Sequence, residues 1–332
     1  MTELNREEGS ALIVVLGLIT LISLLTVSIV TFSQVSDRIS KVNCDRAKAS
    51  YWAEGAVDRA IWLLRNDIAK HPTRTLGAAE EGEEIERFLA DGRPHIFSNY
   101  EDGKTKVSIF DAISGLDISG SRPTRYLQRQ PSSFQDDVEA YEEYKLFLNA
   151  LTDYVDSNDF TQLTGGFEKE DYEAIGMAPL PRNYAMEYKY EILWVPGFQD
   201  FFQVDRLGEI PSIRIIAPTG LRQLRGDDNF YSADEKQIQI KAGLNSAQTQ
   251  QVINARKQWM SKKIPLTENL DPGIMSLLQQ RFSFRESGFY TFRVEASPGH
   301  GFASRILTCT LQITKNLAPN NELRYYEWRF LR

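Results

Sequence analysis

The chain has 332 residues, 42% of them hydrophobic and 25% charged, and a formal net charge of −7. These proportions are ordinary for a globular protein large enough to bury a core without a disulfide scaffold. The acidic balance makes nucleic acid, which is held mainly through phosphate contacts, a poor first partner.

The run Ala11 to Phe32, ALIVVLGLITLISLLTVSIVTF, carries no charge and is long enough to cross a bilayer as a helix. A secretory signal has a basic front, a shorter apolar core and a small-residue cut behind it. Here the front is the mostly acidic MTELNREEG, and Ser33 to Ser36 offers no Ala-x-Ala site. The segment is predicted to be a retained membrane span. Helical periodicity continues from Asp37 to Lys70, where Ala53, Val57, Ile61, Leu64 and Ile68 recur at three- and four-residue steps. His71-Pro72 ends it, because a residue preceding proline is pushed out of the helical region. Both halves read as one helix of roughly 90 Å, apolar all round at first and sticky on one face afterwards.

A loop rich in Gly and Glu, from Gly77 to Gly82, follows; Thr105 to Phe110 alternates as a strand, and Gly115 and Gly120 mark turns. From Phe134 to Gln280 the pattern is mainly helical. The period changes to two after Gly288, with strands through Tyr290 to Ala296, Leu307 to Ile313 and Tyr326 to Phe330. The predicted fold class is α+β: a long N-terminal transmembrane and amphipathic helix packed on an antiparallel sheet, with a large helical domain inserted between strands.

Cys44 and Cys309 show no metal-ligand spacing and read either as one bridge or as two buried thiols. Trp52, Trp62 and the Tyr325, Tyr326, Trp328 cluster read as core. Gly243 to Arg256 looks like half of a helix-hairpin-helix, used elsewhere on DNA backbones. No basic cluster surrounds it, so packing is the simpler reading. His71, His95 and His300 are scattered, and neither GxSxG, HExxH nor a Gly-rich phosphate loop is present, so no enzyme is indicated.

A short polar leader ending in Gly9, followed by a long retained apolar helix, resembles the N-terminus of type IV pilins and pseudopilins. Three further stretches are similar to the K component of bacterial type II secretion systems: FDAISGLDIS (110–119), LNALTDYVDSNDFTQLTGGFEKEDY (148–172) and EILWVPGF (191–198). Asp117, Ser119 and Lys169 depart from that pattern, and Arg6 is the leader's only base. The resemblance implies a prepilin leader over 1–9, cut between Gly9 and Ser10 by a prepilin peptidase that methylates the new amine. It further implies a membrane helix over 10–32, pilin-like helix and first strands over 33–130, an inserted SAM-like or helix-hairpin-helix-like domain over 131–285, and closing strands over 286–332.

Most such proteins carry glutamate at the fifth mature position; here it is Val14. A carboxylate in hydrocarbon needs a neutralising neighbour, and a subunit at a filament tip has none. The resemblance therefore implies a minor pseudopilin of a type II secretion system, anchored once in the bacterial inner membrane with its body in the periplasm, capping the pseudopilus and helping to initiate it. Implied partners are minor pseudopilins of the I and J type, the major pseudopilin and the prepilin peptidase. The alternative function is a membrane-anchored DNA-binding protein of the type IV pilus or competence class.

Some K components bind calcium, which implies a site at Asp156, Asn158, Asp159, Glu168 and Asp171, all hard oxygen donors. The plain alternative is that these residues form Asx turns and cap the next helix.

Overall fold

A single helix, α1 (Leu4–Lys70), carries the chain out of its apolar segment and across a sheet, a length of about 100 Å. The structure, a computed structural model, describes residues 4–71, 87–98, 103–118, 124, 127, 138–162, 164–177, 179–205, 209–214, 228–262, 264–299, 304–313 and 323–331, with side chains from residue 12. In the first half of α1 the apolar side chains from Leu12 to Phe32 point outward and are exposed. Five hydroxyls interrupt this surface, and each donates back to its own helix: Thr20 to the Gly17 carbonyl, Ser23 to Ile19, Thr26 to Ile22, Ser28 to Leu24 and Thr31 to Val27, at 2.7–2.9 Å. Every side-chain donor of the span is thus satisfied without water, the condition a bilayer imposes.

In its second half α1 lies on a five-stranded antiparallel sheet of order β1-β2-β5-β6-β7. The strands are β1 (Asp91–Ser98), β2 (Lys104–Asp111), β5 (Phe289–Ser297), β6 (Arg305–Gln312) and β7 (Arg324–Leu331). Period-two alternation sends Val107 and Ile109, then Tyr290, Phe292, Val294 and Ala296, then Leu307, Cys309 and Leu311 to the helix side. Against them α1 sets Ala49, Ala53, Ala56, Val57, Ala60, Ile61 and Leu64, all buried. Four alanines in that stripe keep the contact shallow, so the helix axis lies close to the strands.

Strands β2 and β5 are sheet neighbours, yet the chain between them runs from Asp111 to Phe289. It leaves the sheet after Asp111, upstream of residue 131, and forms two further cores. One gathers α2 (Val138–Val155), α3 (Lys169–Ala174), a 3-10 helix (Lys189–Trp194) and α4 (Phe198–Phe201) around Tyr144, Phe147, Tyr154, Tyr172 and Phe198. A short parallel pair, β3 (Leu116–Asp117) with β4 (Ile213–Arg214), closes it. The other packs α5 (Glu235–Ala242), α6 (Ser246–Lys262), α7 (Leu266–Asn269) and α8 (Pro272–Arg281) around Phe230, Trp259 and Leu278.

The root of this insertion is held by buried carboxylates. Asp111 accepts hydrogen bonds from the Ser287 amide (2.7 Å), the Ser287 hydroxyl (2.8 Å) and the Ile113 amide (2.9 Å), so one side chain ties the exit strand to the return strand. Glu286 beside it accepts from the Ala90 amide at 2.8 Å and the Tyr290 hydroxyl at 2.9 Å. Gly115 follows with φ +95°, where a Cβ would press on the Ile213 backbone at 2.7 Å, so no other residue fits this turn.

Two expectations about single residues are corrected here. Cys309 is a buried thiol, whose pKa burial pushes up to about 12, but Cys44 is exposed on α1 and the two are not bridged. Trp62 is 64% exposed and Tyr325 and Trp328 nearly half exposed, so these aromatics are not core.

Burial pushes the Asp111 pKa up to about 6, with its hydrogen-bond donors opposing that shift and Glu286 adding to it. A folded-state value above the unfolded one means the native chain holds the proton more tightly, so this group's contribution to stability is present below about pH 4 and is lost as pH rises through 6. The expected loss is on the order of 3 kcal/mol. Urea denaturation of the detergent-solubilised chain from pH 4 to 7 should show that fall, and Asp111→Asn should reduce it; identical pH profiles for both chains would contradict the assignment.

Candidate functional site

The acidic loop begins where α2 ends. Asp153 lies on the last turn of α2 among Ala150, Leu151, Tyr154 and Val155 and is fully buried. Its Oδ2 accepts from the backbone amides of Gln162 (3.2 Å) and Phe167 (3.0 Å), drawing the loop back over the helix end. Its Oδ1 is buried without a partner. Gly166 makes this closure possible, because a Cβ there would collide with Asp153 Oδ2 and the Gln162 amide.

The predicted ligands divide into two kinds. Asn158 and Asp171 serve the backbone: Asn158 Oδ1 accepts from the Phe160 amide at 2.9 Å, and Asp171 Oδ2 from the Glu168 amide at 3.0 Å at the start of α3. Asp156 Oδ1 makes an Asx turn to the Asn158 amide at 3.2 Å, and Asp159 Oδ1 accepts from Asn183 Nδ2 at 2.7 Å. Glu168 is different. It is buried, and both of its carboxylate oxygens lack a hydrogen-bond partner. Its pKa is pushed up to about 7, first by burial and then by the negative charges of Asp153, Asp156, Asp159 and Asp171. Burial also raises the Asp153 pKa, against its two amide donors and with help from Asp156.

Sequence reasoning missed Asp153, which stands three residues before Asp156, the first of the predicted ligands. Its signal was an aspartate on the apolar face of an otherwise regular helix. Among the described residues no three His, Cys, Asp or Glu side chains already stand at ion-holding distances. The donor chemistry nonetheless suits a hard cation: orphaned carboxylate oxygens of Glu168 and Asp153, with further acids around them.

The other singled-out residues fall as follows. Gly9 and Ser10 lie within α1, outside the residues whose side chains are described, and Ser119 lies outside the described residues altogether. Val14 is exposed on α1. Asp117 on β3 faces Arg214 on β4 at 3.8 Å. In EILWVPGF, Glu191 is structural, its Oε1 accepting from the amides of Glu187 (2.8 Å) and Tyr188 (2.7 Å) while Oε2 pairs with Arg182 at 3.0 Å. In the Gly243 to Arg256 segment α5 and α6 do form a hairpin, turning at Gly243 with φ +68°. Its cations are engaged inside the protein: Arg256 Nη1 donates to the Phe230 carbonyl at 3.0 Å and to that of Ala233, and Lys241 pairs with Asp228 at 2.6 Å.

Replacing Gly166 by alanine should force the loop off Asp153 and lower the unfolding free energy by about 1–3 kcal/mol, as overpacking does elsewhere. Urea denaturation of the variant and the unchanged chain measures this, and equal midpoints would show that the loop tolerates the added methyl.

No family model and no curated protein matches the chain. Among solved structures it is similar to a chain of the crystal structure of the GspK-GspI-GspJ complex from the enterotoxigenic Escherichia coli type 2 secretion system. The identity is 15%, the TM-score 0.53, and the match covers 88% of this chain and 99% of that one. So extended a match shows that this chain, a long helix on an antiparallel sheet, has the α+β fold of a chain of that complex.

Proposed function

We propose that this chain is a non-catalytic minor pseudopilin of the K type in a type II secretion system. The observation that carries the reading is α1: one unbroken helix whose stretch from Leu12 to Phe32 exposes apolar and internally satisfied side chains, while its alanine-lined second half is fixed on the sheet. Such an element joins a membrane anchor rigidly to a globular body. The likeness to a chain of a three-protein secretion complex supports the same reading. In it, Ala11 to Phe32 spans the inner membrane, the body stands in the periplasm, and I- and J-type minor pseudopilins and the major pseudopilin are the partners. Val14 leaves no buried carboxylate to neutralise. The bulk inserted between β2 and β5 is hard to stack repeatedly where helices pack about 8–10 Å apart, so the tip of the filament, and a part in starting it, suit this chain.

Intact-mass measurement on the chain from its host membrane tests this directly. A mature N-terminus at methylated Ser10 is expected; a chain retaining Met1 would sink the proposal.

In the same reading the acidic loop holds calcium, with Glu168 and Asp153 supplying the buried oxygens and Asp156 and Asp159 the outer ones. The ion would replace the proton that burial and like charges force on Glu168. A bound cation stabilises the native state by mass action, about 2.7 kcal/mol at one hundred times Kd. Without the ion, Glu168 contributes most below about pH 4.5 and that contribution disappears as pH rises through 7, so the stabilisation by calcium should grow over the same interval. Thermal melts with calcium or chelator at pH 5 and 7.5 should show a shift at the higher pH alone, abolished by Glu168→Gln. An unchanged Tm at pH 7.5 refutes the site.

A further inference from the structure

Helix α6 turns Val252, Ile253 and Trp259 into the core, and its other side carries Gln250, Gln251, Asn254 and Gln258, all exposed. With Asn269 at the end of α7 these amides line a cleft of about 450 Å³. Ala247 and Ala255 are its remaining walls, so no charge and no aromatic ring faces it among the described residues. In a chain with 25% charged residues, the run from Ser246 to Ala255 contains none. An ion or a phosphate finds no counter-charge here.

Most of the hydrogen-bonding capacity of these amides is unspent inside the chain. Gln250 Nε2 donates to Asn254 Oδ1 at 3.2 Å, and Gln251 Nε2 donates to the Asn269 carbonyl at 3.4 Å, which ties α7 to α6. Gln250 Oε1, Asn254 Nδ2 and the Gln258 side chain have no partner among the described residues. Asn269 Nδ2 differs from them in being buried, and it too has no acceptor. A buried donor left unpaired is costly, and a carbonyl entering the cleft would relieve it.

A primary amide presents a donor and an acceptor side by side, the same pair that a peptide unit presents. Gln250, Asn254 and Gln258 follow one another at four-residue steps, about 6 Å apart along the helix, while an extended chain repeats its groups on one side about every 6.6 Å. Over three amides the mismatch grows to only about 1 Å, which side chains of this length absorb. We propose that this cleft binds an extended, uncharged segment of another polypeptide through its backbone. A neutral sugar is the other polar, uncharged candidate, but a pyranose is normally held on an aromatic face, and Trp259, the aromatic residue of α6, is 2% exposed. The two alanines let a backbone come close, and main-chain hydrogen bonds recognise extended form rather than one sequence. The cleft lies on the insertion and does not depend on the pseudopilin reading.

Saturation-transfer difference NMR on the detergent-solubilised full chain tests it, with an end-blocked hexapeptide of alternating valine and serine as the probe. A dissociation constant of about 0.1–1 mM is expected, and an isomer with its valines and serines regrouped should bind within about three-fold of it. The same peptide methylated at every backbone nitrogen should bind at least about ten-fold more weakly. Asn254→Leu combined with Gln258→Leu, both at exposed positions, should cause a similar loss at an unchanged melting temperature. If that variant melts lower, the methylated peptide still decides. No saturation transfer, equal affinity for the methylated peptide, unchanged binding by a fully folded double variant, or tighter binding of tri-N-acetylchitotriose than of the peptide overturns the proposal.

Discussion

Everything in this molecule depends on the contact between the alanine stripe of α1 and the apolar face of the sheet. Ala49, Ala53 and Ala60 are fully buried against β-branched and aromatic side chains of the central strands. Small residues on the helix make the contact flat, and large ones on the sheet supply the buried area, so the helix rests on the strands along several turns. The direction of the apolar segment is thereby set by the body. A helix attached only through a loop would transmit no force or orientation; here the same helix runs unbroken from the apolar segment to the core.

The sheet's other face meets the insertion by a different chemistry. Arg293 on β5 pairs with Asp205 at 3.2 Å, and Arg329 on β7 reaches Glu209 and, at 2.6 Å, the Tyr190 hydroxyl. These groups are partly exposed, and ion pairs of that kind contribute little to stability but do fix register. Apolar packing therefore joins anchor to body, whereas polar pairs together with the Asp111 and Glu286 knots at the insertion root orient the helical block. The first interface resists sliding; the second aims a large mass at one end of a long lever.

Much of this was legible in the sequence because periodicity reports burial directly. The unbroken α1, the alternating strands β2, β5, β6 and β7, and helices α2, α6 and α8 all follow their three- to four-residue or two-residue pattern. Strand β1 was not legible. It contains Gly92 and Pro94, which break any two-residue alternation, and exists because an edge strand with a register shift between Asp91 and Pro94 can accommodate a proline. EYKYEILWV reads as α-helix yet forms a 3-10 turn, since Glu191 folds back onto the amides of Glu187 and Tyr188. For the acidic loop, the sequence indicated which carboxylates cluster but not which are spent on turns, because Asx geometry depends on local backbone angles. Trp62 looked like core for the simple reason that tryptophan usually is; only the position of the sheet decides which side of α1 is inside.

Two of the buried carboxylates with raised pKa values, Asp111 and Glu168, differ in how their charge is met. Asp111 is surrounded by donors, three of them at 2.7–2.9 Å, which oppose the rise that burial imposes and hold its pKa to about 6. Glu168 has no donor on either oxygen and faces four other acids. An unpaired charge in that position is costly, and mutual repulsion raises the cost. Two species can relieve it: a proton, which serves only up to about pH 7, or a cation, which serves above. A loop that ties itself shut over Asp153, with a glycine where any side chain would collide, keeps this unbalanced charge in place. A surface loop under no such demand would have turned its carboxylates to water.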